Sequence, residues 1–197
     1  MDRQAMLPLG QHYRLFDTAI GPCGIAWSEH GLTRLQLPQS DRAATERRLT
    51  GRSGSAAAEE VPPPAREAIA KVQRHLGGER SDFAGIVLDL EGVSPFDRKV
   101  YEAARSVAWG RTLGYGELAS LAGFPGEARE VGQALGRNPI AIIIPCHRIL
   151  AKGKKIGGFS AYGGTLTKEH LLSLEGVALE GDAPLLPGLL PERRRRG

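Results

Sequence analysis

Apolar positions in the first third of the chain follow the pattern of short strands separated by turns. In YRLFDTAIGPCGIAWSEHGLTRLQLP, residues 13–38, strand-forming residues are interrupted at Ile20-Gly21-Pro22 and at Glu29-His30-Gly31. Gly, Pro and polar residues between apolar runs are typical of tight turns, so this stretch predicts a β-meander. A later apolar run, FAGIVLDLEG at residues 83–92, predicts a further strand.

Between these strands the apolar spacing changes to that of a helix. Ala65, Ile69, Val72 and Leu76 recur on one helical face, and Gly77-Gly78 follows as a stop. Residues 40–64 are rich in small, charged and proline residues, which predicts a short helix over 41–49 and then a mobile connection. Strands mixed with helices predict a small α+β domain over residues 1–92.

From Ser94 onward the pattern is mainly helical. Ser94 is placed as an N-cap, with Pro95 at the first helical position and Asp97 at the third. Two short helices follow, over 115–123 and 126–136, with a Gly/Pro turn between them. Helices joined in this way predict a helix-turn-helix. The second domain is therefore placed at residues 93–177, followed by a Pro/Leu/Arg-rich tail at 178–197.

The last of these helices has a face of small residues. Gly132 lies in its middle, where glycine costs about 1 kcal/mol relative to alanine. Close packing against a neighbouring helix explains a glycine there. The alternative is that a face built from Ala128 and Gly132 presses into a narrow DNA minor groove, with Arg129 as its long probe. The sequence alone leaves both explanations open.

Composition narrows the class of protein without fixing its function. The chain has 197 residues, of which 41% are apolar and 24% charged, and no apolar run approaches the ~18 residues of a membrane span. Two cysteines cannot form a disulfide scaffold, and without a signal-peptide core the expected location is the cytoplasm. A formal net charge of +4 permits a polyanionic partner.

The stretch IIIPCHRIL, residues 142–150, carries the candidate chemistry. Three isoleucines predict a buried strand that Pro145 ends, and Cys146-His147 comes next. A thiolate is the reactive form of cysteine, and it needs cationic or hydrogen-bonding neighbours at neutral pH. A zinc deaminase or structural zinc site requires further cysteines nearby, which are absent. A Cys-His acyl-transfer enzyme stays open.

The same region resembles a known family, the O6-alkylguanine-DNA alkyltransferases. The resemblance rests on GRTLGYGELASLAG, AREVGQALGRNP, NPIAIIIPCHRIL, GGFSAYGG and KEHLLSLEG, which occur in the expected order. It implies a ribonuclease-H-like N-terminal domain and a helical C-terminal domain with a winged-helix-like helix-turn-helix. It also implies a repair protein that acts once, taking an alkyl group from O6 of guanine, and from O4 of thymine, in double-stranded DNA.

The resemblance assigns a role to each site residue. Cys146 would accept the alkyl group, His147 would deprotonate it through a water, Glu175 would orient the imidazole, and Asn138 would brace the loop. Tyr115 would help to turn out the nucleotide and donate its hydroxyl, and Arg129 would fill the space left in the stack. Ser160 would contact O6, the backbones of Cys146 and Ile149 would read the guanine amino group, and the helix with Ala128 and Gly132 would enter the minor groove. These roles are expectations drawn from the family.

Several expectations complete this interpretation. Cys23 and the histidines His12, His30 and His75 are scattered along the sequence, so we expect neither zinc nor any cofactor. Lys152, in a lysine-rich segment, is either solvated or a phosphate contact. We expect a monomer that binds DNA and does not associate with a membrane. The sequence leaves open whether binding along DNA is cooperative. Two rival functions are a helix-turn-helix module that binds alkylated bases without transfer and a multiple-turnover Cys-His hydrolase or transferase.

Overall fold

The computed structural model describes residues 12–51 and 56–178. The predicted tail lies outside the described residues except for Ala178. Within these ranges the protein is a mixture of helices and strands.

The N-terminal half is built on a four-stranded sheet. Its strands are β1 (His12–Thr18), β2 (Gly21–Ser28), β3 (Gly31–Gln36) and β4 (Ala56–Ala57), in the order β3-β2-β1-β4. The first three are antiparallel neighbours, which confirms the predicted meander, and β4 runs parallel to β1. Trp27, Ile25 and Cys23 of β2 point into the core. The sheet therefore carries one wall of the hydrophobic core.

The described part of the 40–64 segment contains the predicted short helix, and the mobility of the connection after it stays a prediction. Helix α1 (Arg42–Thr50) begins after Asp41, whose carboxylate accepts from the Ala44 N–H at 2.7 Å. Leu49 of this helix is fully buried. Beyond residues 52–55, which lie outside the described residues, β4 pairs with β1. Burial of Leu49 and pairing of β4 hold both ends of the connection on the sheet.

Helix α2 (Pro63–Leu76) forms as predicted and ends at Gly77. The predicted strand at 83–92 is wrong, since only an isolated bridge joins Leu88 to Leu32. The guanidinium of Arg105 donates to the carbonyls of Phe83, Ala84 and Ile86. A side chain from a distant helix thus takes the acceptors that a neighbouring strand would otherwise use.

The C-terminal half is mainly helical, as predicted. Its elements are α3 (Pro95–Arg105), β5 (Leu113–Gly114), α4 (Tyr115–Leu121), α5 (Ala128–Gly136), β6 (Ile149–Leu150) and α6 (Thr165–Leu174), with β5 and β6 paired in parallel. Ser94 caps α3 by accepting from the Asp97 N–H at 3.0 Å, which confirms the predicted helix start. Helices α4 and α5 form the predicted pair of short helices joined by a turn.

Two contacts fix α5 against α3. Asp97 forms a two-point ion pair with Arg137, with oxygen–nitrogen distances of 2.8 and 3.0 Å. The buried hydroxyl of Tyr101 donates to the Ala134 carbonyl at 2.9 Å. Bidentate guanidinium–carboxylate pairs fix geometry as well as distance. Helix α5 is therefore held rigidly relative to the rest of the C-terminal half.

The isoleucine run before Cys146 is buried but does not form the predicted strand. Residues 141–144 make a tight turn in which Ile142 has φ 69°. This left-handed conformation costs an isoleucine about 1–2 kcal/mol. Asn138 holds the turn, since its amide donates to the Ile144 carbonyl at 2.8 Å and its oxygen accepts from the Ile140 N–H at 2.9 Å. The turn aims the chain after Pro145 into the interior.

One hydrophobic cluster extends through both halves of the described chain. It includes Ile25 and Val72 from the N-terminal half and Val100 and Ile140 from the C-terminal half. The Leu35 N–H also donates to the Pro139 carbonyl at 3.0 Å. The domain boundary near residue 92 stays a prediction. Among residues 12–51 and 56–178, no helix combines the length and apolar character needed to cross a bilayer.

Candidate active site at Cys146

Cys146 begins a 3₁₀ turn, Cys146–Arg148, directly after Pro145. Its side chain opens into a cavity of about 650 Å³ between α5 and the loop before α6. The cavity lining includes the predicted residues Cys146, Tyr115, Ala128, Arg129, Gly132, Lys152 and Ser160. Seven of the eleven predicted site residues therefore meet at one opening. A volume of this size is within the range of small-molecule sites.

The other four predicted residues lie behind the cavity. His147 and Ile149 are fully buried, Glu175 is nearly so, and Asn138 braces the turn before Cys146. The Ile149 carbonyl accepts from Lys168 Nζ at 2.6 Å, and the Ile149 N–H donates to the Cys146 carbonyl. The backbone of Ile149 is thus already engaged, and reading a guanine amino group would use the second lone pair of its carbonyl.

The carboxylate of Glu175 is the centre of a buried hydrogen-bond network. It ends α6 and accepts from His147 Nε2 at 2.7 Å, from Arg148 Nε at 2.8 Å and from the Gly110 N–H at 3.2 Å. Burial alone raises the pKa of this carboxyl group, but the hydrogen bonds from His147 and Arg148, together with the nearby His75, outweigh it and hold the pKa well below its ordinary value. Glu175 is therefore a carboxylate, and Arg148 balances its charge.

Burial keeps His147 neutral, and the contact with Glu175 fixes which of its nitrogens carries the proton. Burial lowers its pKa to about 4, although Glu175 opposes the shift. Because a carboxylate accepts hydrogen bonds, Nε2 carries the proton that faces Glu175. Nδ1 is buried and has no hydrogen-bond partner among the described residues. The free lone pair of Nδ1 is thus available to receive a proton on the side of the ring away from Glu175.

The resting Cys146 side chain is a thiol rather than a preformed thiolate. Burial raises the pKa of Cys146, while Asn138, Lys168 and nearby backbone N–H groups act in the opposite direction without overcoming it. The sequence correctly indicated that the thiolate needs such neighbours. In this enclosed site they do not compensate for lost solvation, so a base must take the proton during the reaction.

Tyr115 lies between two glycines at the cavity wall. A β-carbon at Gly132 of α5 would be 3.6 Å from Tyr115 Cε1, and one at Gly157 would be 3.1 Å from Tyr115 Cε2. The absence of a side chain at Gly157 therefore lets the ring pack closely against the loop. Burial raises the pKa of Tyr115, so its hydroxyl keeps its proton. A β-carbon at Gly132 would meet the ring at an ordinary van der Waals distance, so close packing alone does not require this glycine, and the face of α5 on the cavity stays small.

Two residues at this site were missed from the sequence. Lys168 is fully buried, donates to Ile149, and its Nζ lies 5.8 Å from the centroid of the Tyr115 ring. It precedes Glu175 by seven positions, a spacing that places both on one face of α6, so a signal was present. His75 had no expected role at this site, but its Nε2 lies 3.4 Å from Glu175 Oε1. Nothing in the sequence links His75 to this site.

These features define a class: a protein with a helix-turn-helix beside a cavity that exposes a cysteine backed by a His-Glu pair. A sequence model described as 6-O-methylguanine DNA methyltransferase, DNA binding domain, matches residues 95–177. Curated relatives named methylated-DNA–protein-cysteine methyltransferase include that of Mycobacterium tuberculosis, 34% identical over 88% of this chain and 98% of the relative. The Mycobacterium leprae protein of the same name is 39% identical over 83% of this chain and 92% of its own.

Solved structures give the same result. The crystal structure of Mycobacterium tuberculosis OGT in complex with DNA superposes with a TM-score of 0.66 at 36% identity, covering 83% of this chain and 92% of that one. A methyltransferase structure from Pyrococcus kodakaraensis superposes with a TM-score of 0.62 at 30% identity, covering 85% and 99%. The chain belongs to the methylated-DNA–protein-cysteine methyltransferase family, which confirms the resemblance found in the sequence.

Proposed function

We propose that Cys146 is the residue that receives the alkyl group in this protein. Family membership assigns the chain to DNA repair by alkyl transfer. The observation that carries the choice of residue is the pairing of His147 Nε2 with Glu175 at 2.7 Å, beside a cysteine that opens into the cavity. Cys146 as the nucleophile thus lies next to its base, His147, and Glu175 orients that base from the other side.

The substrate that this site supports is guanine alkylated at O6, and in the same way thymine alkylated at O4. His147 takes the proton of the Cys146 thiol through Nδ1, directly or through a water. The sulfur attacks the alkyl carbon, the carbon–sulfur bond forms, and the carbon–O6 bond breaks with its electron pair left on the base. Tyr115 donates a hydrogen bond to the guanine as negative charge develops on it, and the expelled guanine anion then takes up one proton through solvent, which balances the proton that His147 removed from the thiol. Cys146 keeps the alkyl group as a thioether, and each molecule reacts once.

The damaged nucleotide must leave the duplex to reach Cys146. Extruding a base costs a few kcal/mol, and less for a lesion that pairs poorly. The cavity opens beside α5, whose Ala128 and Gly132 present little bulk and whose Arg129 is exposed. We propose that this face enters the minor groove and that Arg129 occupies the space left by the nucleotide. On the opposite wall, Lys152 would contact the DNA backbone and Ser160 would contact O6.

Finer features of the fold and the setting are also proposals. The strand order β3-β2-β1-β4, with β4 parallel to β1, supports a ribonuclease-H-like N-terminal domain. The small β5–β6 pair next to α4 and α5 supports a winged-helix-like description. We propose a monomer acting in the cytoplasm without metal or cofactor. A module that binds lesions without transfer is not favoured, because the curated relatives above are named as methyltransferases and Cys146 is present.

A mass measurement tests the function. The protein is incubated with an oligonucleotide containing O6-methylguanine, and the intact protein and its peptides are weighed. We expect one methyl group per molecule, located on the Cys146 peptide. Cys146→Ala should take up no methyl group and still bind the lesion DNA, with Cys23→Ala as the matched control that reacts normally. Methylation of the Cys146→Ala variant would show that the acceptor is wrong. Turnover beyond one equivalent would favour the hydrolase or transferase.

A further inference from the structure

His75 brings a side chain from the N-terminal half into the network behind Cys146. It lies in the last turn of α2, is fully buried, and points Nε2 at Glu175 Oε1 from 3.4 Å. Trp109 packs edge-on against its ring at 4.7 Å between centroids, and Phe83 lies at 5.4 Å. The aromatic rings hold the imidazole in place and leave the carboxylate as its polar neighbour.

The imidazole of His75 is incompletely satisfied. Neither Nδ1 nor Nε2 makes an aligned hydrogen bond with the described residues. Buried polar atoms are usually paired, so an exception calls for an explanation. A histidine that served only to fill space could be replaced by phenylalanine, which would pack against Trp109 equally well. Packing alone therefore does not explain a histidine at position 75, and its ring nitrogens call for a polar role.

Glu175 Oε1 is the oxygen on which two imidazoles converge. It accepts from His147 Nε2 at 2.7 Å and lies 3.4 Å from His75 Nε2. Arg148 binds the same carboxylate through Nε and Nη2. Hydrogen bonds in unliganded active sites are often long and tighten as the reaction proceeds. The 3.4 Å contact has the length expected of such a bond before the reaction.

We propose that His75 is a positioning residue for alkyl transfer, with its Nε2–H holding Glu175 Oε1 in line with His147. The inference rests on the proposed role of Cys146 and His147. When His147 takes the thiol proton it becomes cationic, and its partner oxygen must stay in line to stabilise that charge. Arg148 fixes the carboxylate from one direction, and His75 fixes it from another. Among the described residues, His147 and Glu175 are the titratable groups beside His75, Arg148 is paired with Glu175, and the packing aromatic rings are uncharged.

The same atoms do not make a good metal site. His75, His147 and Glu175 have ligand atoms within 4.8 Å of one another. However, Arg148 already donates to both oxygens of that carboxylate, and a second cation would be repelled by the guanidinium. A metal bound there would also have to replace the proton on His147 Nε2 that pairs with Glu175. The positioning role uses the same geometry without either conflict.

Three variants of the full-length protein test the proposal. His75→Phe keeps the packing and removes the N–H, His75→Gln restores a donor, and Phe83→Leu disturbs the same packing without a polar change. For each, the single-turnover rate of methyl transfer from O6-methylguanine DNA is measured from pH 6 to 9, together with DNA affinity and thermal unfolding.

For His75→Phe we expect a rate about tenfold lower at pH 7, with DNA affinity unchanged. With Glu175 out of line, the imidazolium–thiolate pair is less stabilised relative to the neutral pair, so the rising limb of the pH–rate profile should move to higher pH by about one unit. His75→Gln should recover most of the rate and the original profile. Phe83→Leu should lower the unfolding temperature and leave the profile in place. A His75→Phe profile that coincides with wild type, or falls equally at every pH, would overturn the proposal.

A second measurement does not depend on a variant folding. Nitrogen-15 NMR of the histidines in the wild-type protein should show His75 protonated at Nε2. A neutral His75 with its proton on Nδ1 would overturn the positioning role. If the wild-type protein transfers no methyl group to Cys146, the proposed function fails instead, so the two failures are distinguishable.

Discussion

At the scale of single residues, the site separates the roles of burial and charge. Burial raises the pKa of Cys146 and lowers that of His147 to about 4, so both groups rest uncharged. Glu175 and Arg148 are the charged pair behind them, joined by hydrogen bonds of 2.8 to 3.1 Å. The reactive thiolate forms only when the proton moves from Cys146 to His147. This limits reaction with molecules that do not enter the cavity.

The buried neutral His147 predicts a stability that depends on pH. An unfolded histidine has a pKa of about 6.5, and burial lowers that of folded His147 to about 4. The unfolded state therefore binds more protons between these values, and the stability contributed above pH 6.5 is lost as the pH falls toward 4. The loss should be roughly 3 kcal/mol, measured by urea unfolding from pH 7.5 to 4.5.

Two variants check this assignment. His147→Gln should flatten the dependence between pH 6.5 and 4.5, because its side chain does not titrate. His30→Gln, on an exposed turn, should leave the slope as it is. Glu175 has a depressed pKa, so its own contribution is lost only at pH values below its ordinary 4.5. An unchanged slope in His147→Gln would contradict the buried neutral form.

At the scale of elements, α5 combines a weak helix former with the wall of the cavity. Gly132→Ala should stabilise the protein by about 1 kcal/mol, because alanine is the better helix former and its β-carbon meets Tyr115 at an ordinary 3.6 Å. The same methyl group on the proposed DNA face should weaken binding to lesion DNA. Thermal unfolding and DNA titration measure the two effects.

The control for Gly132→Ala is a glycine in the neighbouring helix. Gly116 lies in α4 and a β-carbon there meets nothing within 4 Å, so Gly116→Ala should stabilise the protein without a change at the cavity wall. If Gly132→Ala also left DNA binding unchanged, the glycine would serve packing alone. Opposite effects on stability and binding would support the groove-facing role.

Elements whose ends depend on neighbouring residues could be predicted from the sequence. Helix α3 starts at its Ser94 cap and α2 stops before Gly77, since both signals are local. The two wrong strands fail for a different reason: Arg105 takes the carbonyls of Phe83, Ala84 and Ile86, and Asn138 folds the isoleucine run into a turn. Arg105 lies 19 to 22 residues from these carbonyls, and Asn138, although only 6 residues before Ile144, forms hydrogen bonds that a pattern of apolar positions does not show.

The site shows the same division. Cys146 and His147 are adjacent in the sequence, and the ordered motifs around them led to Glu175, which the structure brings to 2.7 Å from His147. His75 is 100 residues from Glu175, and no periodicity relates them. Only the packing of α2 near α6 brings the two together. Contacts between elements that are distant in the chain are thus the part that the sequence pattern could not supply.

At the scale of the whole molecule, the two halves share one core. The hydrophobic cluster is continuous across residue 92, and the Leu35 N–H to Pro139 carbonyl bond joins β3 to the turn before Cys146. We expect a single cooperative unfolding transition, because small proteins with one core unfold in one step. Calorimetry should give equal calorimetric and van't Hoff enthalpies. Two resolved transitions, one leaving Cys146 reactive, would instead support independent domains.

The position of Glu175 at the end of α6 has a consequence for synthesis. Chains are made from the N-terminus and begin to fold before they are complete. Cys146 and His147 therefore leave the ribosome before the carboxylate that completes their network. A nascent or truncated chain that stops short of this residue carries the sulfur without its assembled proton relay. Chemical competence thus arrives with Glu175, so a chain that stops before this residue is not expected to remove alkyl groups from DNA.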